Sequence, residues 1–198
     1  MIFISAGHHE TSQGARFGSY SEYYFTVKWA DKICSLLDDR VVRVPDGTLK
    51  TKTPFINDYI KDNPSDAPFL AVEIHFNSAK MWRDQNANGV IDDGEMVNVG
   101  RGSETLFYPG SKTGEPIANK VQDSLSRVCP PNRGAKPGWY QMNPAKGPDF
   151  FLARTRCAAI IIEPEFIDNI DVITSKLDEA CAAIAETLLD IQNDRSPH

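Results

Sequence analysis

Apolar residues fall in short blocks separated by polar, turn-forming stretches. Ile2-Phe3-Ile4 opens the chain and stops at Ser5-Ala6-Gly7, with His8 and His9 directly behind. "RVVRV" (40–44), "PFLAVEIHFN" (68–77), "ETLFYPG" (104–110) and "AAIIIEPEF" (158–166) are further runs of this kind. Short blocks bounded by Gly, Pro or Asp predict buried strands. Between them the period changes. Behind Ser21, residues Tyr24, Val27, Ala30, Ile33 and Leu37 recur at three- and four-residue steps, which predicts a helix with one apolar face. "TPFINDYIKDN" predicts a short helix stopped by Pro64. "GEPIANKVQDSLSRV" predicts a helix with Pro116 near its start, and "VITSKLDEACAAIAETLLDIQ" a final amphipathic one.

Strands that alternate with helices predict an α/β fold: one domain with a central, mostly parallel sheet of about six strands, flanked by helices. Residues 1–192 make up that domain, and 193–198 ("NDRSPH") read as a frayed tail. Only 78–103 and 129–157 are long connections. There is no internal repeat.

Composition narrows the classes. The chain has 198 residues, 41% of them apolar, enough to fill a core, so a disordered chain is excluded. The net charge is −6 and no long basic block interrupts it, which argues against nucleic acid as a partner. No apolar run approaches the ~20 residues of a membrane span. The first residues lack the basic and apolar segments of a signal peptide, so synthesis in the cytoplasm without that export route is expected. Cys34, Cys129, Cys157 and Cys181 form no CxxC pair and read as free thiols of a reducing compartment.

The candidate chemistry gathers at one edge. In α/β sheets, ligands bind outside the carboxyl ends of the strands. His8 lies just past the first strand, His75 near the end of the third, and Glu163 closes the apolar run of the last. Glu22 sits in the first turn of the helix that starts from the same edge. Two imidazoles and a carboxylate form a catalytic zinc set with a fourth position left for water. A further carboxylate that does not bind the metal can take a proton from that water. Taken singly, each residue has a bland reading. Glu22 suits a helix dipole, and Glu163 could pair with Arg154 or Arg156.

The segments "FISAGHHETSQGA", the helix-borne Glu22, "VEIHFNSA", "GSETLFYPGSKTGEPIANKVQDSL", "NRGAK" and "AAIIIEPEFIDNIDV" together carry a resemblance. In order and spacing the chain resembles the zinc-dependent N-acetylmuramoyl-L-alanine amidases of the amidase-3 family over roughly residues 2–190. The resemblance implies a mixed sheet flanked by helices, zinc held by His8, Glu22 and His75, and Glu163 as the catalytic carboxylate. It also favours Glu163 over nearby Glu165, because the family acid directly follows the apolar run. The implied reaction is hydrolysis of the amide joining N-acetylmuramic acid to L-alanine in peptidoglycan.

Two positions depart from the pattern. The family usually has a small residue at His9, which is expected to be a solvated or substrate-side group, turned away from His8 if the segment is extended. It often has Ser where this chain has Glu73, an extra acid that either supports the site or disturbs it.

A second cation site is expected in "DQNANGVIDDGE" (84–95). Oxygen-bearing side chains fall at positions 1, 3, 5, 9 and 12 of the calcium-loop pattern: Asp84, Asn86, Asn88, Asp92 and Glu95. Gly89 stands at position 6, and Val90 would offer its carbonyl. The loop resembles that of an EF-hand. "MVNVGRG" after it favours a strand over an exit helix, so a structural Ca2+ is expected.

The functional expectation is a monomeric zinc amidase acting on peptidoglycan, with no nucleic-acid or membrane partner. It would reach the wall after release, as a phage-type lysin (endolysin) does. The rivals are a zinc carboxypeptidase or deacetylase on another substrate, and a non-catalytic, calcium-stabilised wall-binding protein. Arg133, Lys136 and Trp139, before the last strand, are left without a role.

Overall fold

The computed structural model describes residues 1–82, 96–98 and 100–195. Six strands form one sheet: β1 (Ile2–Ala6), β2 (Val41–Arg43), β3 (Leu70–Ile74), β4 (Ser103–Phe107), β5 (Asn132–Pro137) and β6 (Ala158–Glu163). Their order is β2-β1-β3-β6-β4-β5. The first four in that order run parallel. β4 pairs antiparallel with β6, and β5 lies parallel to β4. The sheet is therefore mostly parallel, as the strand–helix alternation predicts, and mixed, as the family resemblance implies. Its reversal has one consequence for the site. The carboxyl ends of β1, β3 and β6 share an edge with the amino ends of β4 and β5.

Alternation along the strands divides the core in two. Ile2, Ile4, Ala6, Leu70, Val72, Ile74, Ile160 and Ile162 face one side. There they pack against α1 (Glu22–Leu37), α3 (Gly114–Val128) and α6 (Leu177–Asn193). Phe3, Ala71, Ala159 and Ile161 face the other side, against Ile56 of α2 (Leu49–Asp62) and Phe151 and Leu152 of α4 (Phe150–Arg154). Both faces are covered, which is why the central strands read as near-continuous apolar runs.

Several expected elements are adjusted. The buried stripe of α1 runs through Phe25, Trp29, Ala30, Ile33 and Leu37, while Tyr24 is exposed. α2 begins a turn before "TPFINDYIKDN", with Pro54 inside it. The amide of Lys52 bonds the Thr48 carbonyl at 2.9 Å, so the helix is under way before the proline. The final helix is two: α5 (Ile170–Ser175) and α6. "NRGAKP", expected as part of a long connection, is the edge strand β5. It pairs on one side only and is half-buried to exposed, so no apolar block marks it.

Lys80–Trp82 and Met96–Asn98 form a separate antiparallel ribbon, which agrees with the strand expected after Glu95. Asp84, Asn86, Asn88, Val90, Asp92 and Glu95 lie outside the described residues.

Candidate metal centre and proton-carrying carboxylate

β1 ends at Ala6, and the chain turns through Gly7 and His8. Residue His8 has φ 61, the left-handed region that few non-glycine residues adopt. The segment is therefore not extended at this point. His9 instead lines the same cavity as His8, and its Nδ1 lies 3.2 Å from the Thr11 hydroxyl. Its orientation comes from a turn and not from strand alternation.

The chain then runs to Ser21, whose hydroxyl accepts the Tyr24 amide and caps α1. Glu22 follows in the first helical turn and is buried, 4% exposed. Its Oε2 lies 2.9 Å from His8 Nε2 and its Oε1 2.9 Å from His75 Nδ1. The Ala15 and Phe76 amides each donate to one of these oxygens at 3.0 Å. One donor atom from each of His8, Glu22 and His75 falls within 4.8 Å of the others. Residues that are 67 positions apart in the chain thus meet, because β1, α1 and β3 share an edge.

Glycines keep this cluster tight. A Cβ on Gly7 would stand 2.6 Å from the His75 ring. One on Gly14 (φ +73) would stand 2.5 Å from both Glu22 Oε2 and the His8 ring.

Burial alone would raise the Glu22 pKa, but hydrogen bonds from His75 and His8 overcome it and hold the group well below the usual carboxylate range. Burial would likewise depress His75, and its contacts with Glu22 and Glu73 raise it well above the ordinary imidazole value. Both shifts describe a carboxylate held ionised between two imidazoles. Two imidazoles and one carboxylate, clustered in this way, suit a divalent ion of the zinc type by donor chemistry.

Glu163 ends β6 and is turned to the same opening. It borders a cavity of about 170 Å³ together with His75, Trp139 and Asp149. A larger cavity of about 570 Å³ is lined by His8, His9, Lys50, His75 and Asp149. His75 and Asp149 border both, so the two form one groove along the edge. Among the described residues the Glu163 carboxyl has no hydrogen-bond partner. It is partly exposed to the groove, yet enough protein surrounds it that burial pushes its pKa up to about 7.

The neighbouring acids are committed elsewhere. Glu165 is buried and accepts the Gly102 and Phe166 amides, each at 2.8 Å. Glu104, beside Glu163 in the sheet register, is paired with Arg133 at 2.9 Å and Lys136 at 2.6 Å. Arg154 and Arg156, the sequence-level alternatives as partners, form no ion pair with Glu163. Two further groups carry no motif or periodic signal along the chain: Asp149 caps α4 by accepting the Phe151 amide at 2.8 Å, and Lys52 is almost wholly buried.

A three-donor cluster beside an acid unpaired among the described residues, at the carboxyl edge of an α/β sheet, is an arrangement that suits metal-assisted hydrolysis. The chain belongs to the N-acetylmuramoyl-L-alanine amidase family, Amidase_3, whose model matches residues 2–188. No curated protein is matched. Among solved structures, the chain is similar to an N-acetylmuramoyl-L-alanine amidase from Clostridium difficile, with TM-score 0.72 and 18% identity, over 98% of this chain and 97% of that one. It is also similar to an amidase of Nostoc punctiforme, with TM-score 0.69 and 16% identity, over 97% and 96%. The catalytic domain of an endolysin targeting Clostridia Difficile superposes with TM-score 0.60 and 23% identity, over 100% and 98%.

Proposed function

We propose that this chain hydrolyses the amide between N-acetylmuramic acid and L-alanine in peptidoglycan, with His8, Glu22 and His75 as zinc ligands and Glu163 as the proton carrier. Peptidoglycan amide hydrolysis follows from family membership. The assignment of roles is carried by one observation: a tightly held His–Glu–His cluster shares a groove with a carboxyl group that has no hydrogen-bond partner among the described residues and a pKa pushed up to about 7.

A bound zinc ion supplies Lewis acidity, which acidifies a water and polarises a carbonyl. The protein's own groups do the rest. Glu22, its oxygens fixed by the Ala15 and Phe76 amides, would stand between the two imidazoles. Glu163 accepts a proton from the water as its oxygen bonds to the lactyl carbonyl carbon. It then delivers that proton to the alanine nitrogen as the C–N bond breaks. A group with a pKa near 7 can both take and give a proton at neutral pH.

Digestion of purified peptidoglycan tests this reading. The expected products carry new alanine amino termini and no new reducing sugars. A carboxypeptidase or deacetylase gives other products, and a wall-binding protein leaves turbid wall suspensions unchanged. Glu163→Gln should keep its zinc and lose about 10²–10⁴-fold in turnover. Glu165→Gln, whose oxygen can still accept both amides, should turn over normally. Wild-type rates in Glu163→Gln would move the proton-carrying role elsewhere.

The reading includes action on the wall after release from the producing cell, in the manner of a phage-type lysin. Protein added from outside should then clear wall suspensions, and failure to do so counts against it. Calcium binding by 84–95 is supported by the residue pattern of that segment alone. Calcium added to metal-stripped protein should raise its Tm, and Asp84→Ala should abolish the rise. An unchanged Tm in the wild type removes the site.

A further inference from the structure

Lys52 and Glu73 are each 2% exposed, and no step above uses them. Glu73 lies in the middle of the parallel part of the sheet, between Ser5 of β1 and Ile161 of β6. Lys52 comes from α2, on the thinner side of the core. A buried ion pair is weak evidence for stability in itself, so its particular hydrogen bonds need a reason.

An ammonium has three donors, and Lys52 uses them on three acceptors. These are the Ala6 carbonyl, the His8 carbonyl at 3.0 Å and Glu73 Oε1 at 3.2 Å. Glu73 Oε1 also accepts from the Ser5 hydroxyl at 3.1 Å. That leaves Glu73 Oε2, which lies 3.2 Å from His75 Nε2. The other ring nitrogen, Nδ1, faces Glu22 Oε1 at 2.9 Å. The His75 ring is thus held at both ends, with Nε2 on Glu73 and Nδ1 toward the ligand cluster.

We propose that Glu73 and Lys52 are positioning residues. Glu73 takes the Nε2–H of His75 and so makes Nδ1 the ligating nitrogen, while Lys52 neutralises Glu73 and pins the turn that presents His8. The nitrogen that binds a metal is set by the hydrogen bond the other one makes. An uncompensated carboxylate here would place a further negative charge beside the cluster and leave a buried ion unpaired. Lys52 removes both problems. The same ammonium holds the carbonyl of His8, the residue at φ 61, so one pair supports both imidazoles. The acid that departs from the family pattern therefore supports the site and does not disturb it. This inference rests on the reading of His8, Glu22 and His75 as a metal site.

The test compares two charge-free variants, which leave no unpaired ion to unfold the protein. Lys52→Met/Glu73→Gln keeps an oxygen that can accept Nε2–H, and Lys52→Met/Glu73→Leu does not. Zinc is titrated into each metal-stripped protein against a chromophoric chelator. The Leu variant should bind zinc about 10–100-fold more weakly than the Gln variant. Nitrogen-15 spectra of the zinc-loaded wild type should show His75 protonated at Nε2 and ligated through Nδ1. Equal zinc affinity in the two variants, or ligation of wild-type zinc through Nε2, overturns the inference and leaves the metal site standing. A wild type that takes up no zinc overturns the metal-site reading, and this inference with it.

Discussion

Glu22 and Glu163 border the same imidazole from two regions of one sheet edge, and their surroundings are opposite. Glu22 receives two ring nitrogens and two backbone amides. The Glu163 carboxyl receives no hydrogen bond from the described residues, and burial pushes its pKa up to about 7. Glu104, one strand further, is neutralised by Arg133 and Lys136. The residue type is the same in all three cases. What differs is the donors that neighbouring elements bring, and under the proposed reading that difference separates a metal ligand, a proton carrier and a structural ion pair. Hydrogen bonds to a carboxylate lower its affinity for a proton, and burial without them raises it.

The loss of turnover in Glu163→Gln is the largest effect this contrast predicts, and it has a thermodynamic counterpart. The folded pKa of Glu163 lies above its ordinary value of 4.5. Between about pH 4.5 and 7 the native state therefore holds more protons than the unfolded chain, and stability falls as pH rises through that window. The penalty is complete above pH 7. Metal-stripped Glu163→Gln should consequently be more stable than wild type at pH 8, by up to about 3 kcal/mol, with the gain vanishing near pH 4. Glu22 has the other sign. Its depressed pKa contributes stability above the unfolded value that is lost on acidification. Urea unfolding across pH measures both. A Glu163→Gln protein no more stable than wild type at pH 8 would mean that the two acids do not differ as described.

A smaller effect separates site geometry from backbone strain. Gly14 and Gly110 both have positive φ, +73 and +79. A Cβ at Gly14 meets Glu22 and His8, and one at Gly110 meets nothing within 4 Å. Alanine at either position should cost about 1 kcal/mol from the left-handed backbone. Only Gly14→Ala should also weaken zinc binding. Equal zinc affinity in the two variants would show that the cluster has room to spare.

Much of this arrangement was legible along the chain. Apolar blocks end where strands end, so His8 and Glu163 could be placed at strand termini, and the three- and four-residue period put Glu22 at a helix start. His75 followed from the length of the third block. Edge strand β5 was not legible, because a strand paired on one side and half-open to solvent needs no apolar run. Lys52 was hidden for another reason. Pro54 drew the helix start to its own position, and a lysine ahead of a helix has no cause to be buried. Glu73 was visible only as a departure whose sign could not be read.

The sequence alone determined the alternating α/β order, the acid and imidazole groups available at one edge, and the family. Those properties follow from local pattern and residue type. Tertiary structure decided which glutamate is saturated and which is bare, the left-handed turn at His8, and the burial of Lys52 against Glu73. These depend on which donors distant segments bring within about 3 Å of an oxygen, a matter of packing that periodicity along one chain does not encode.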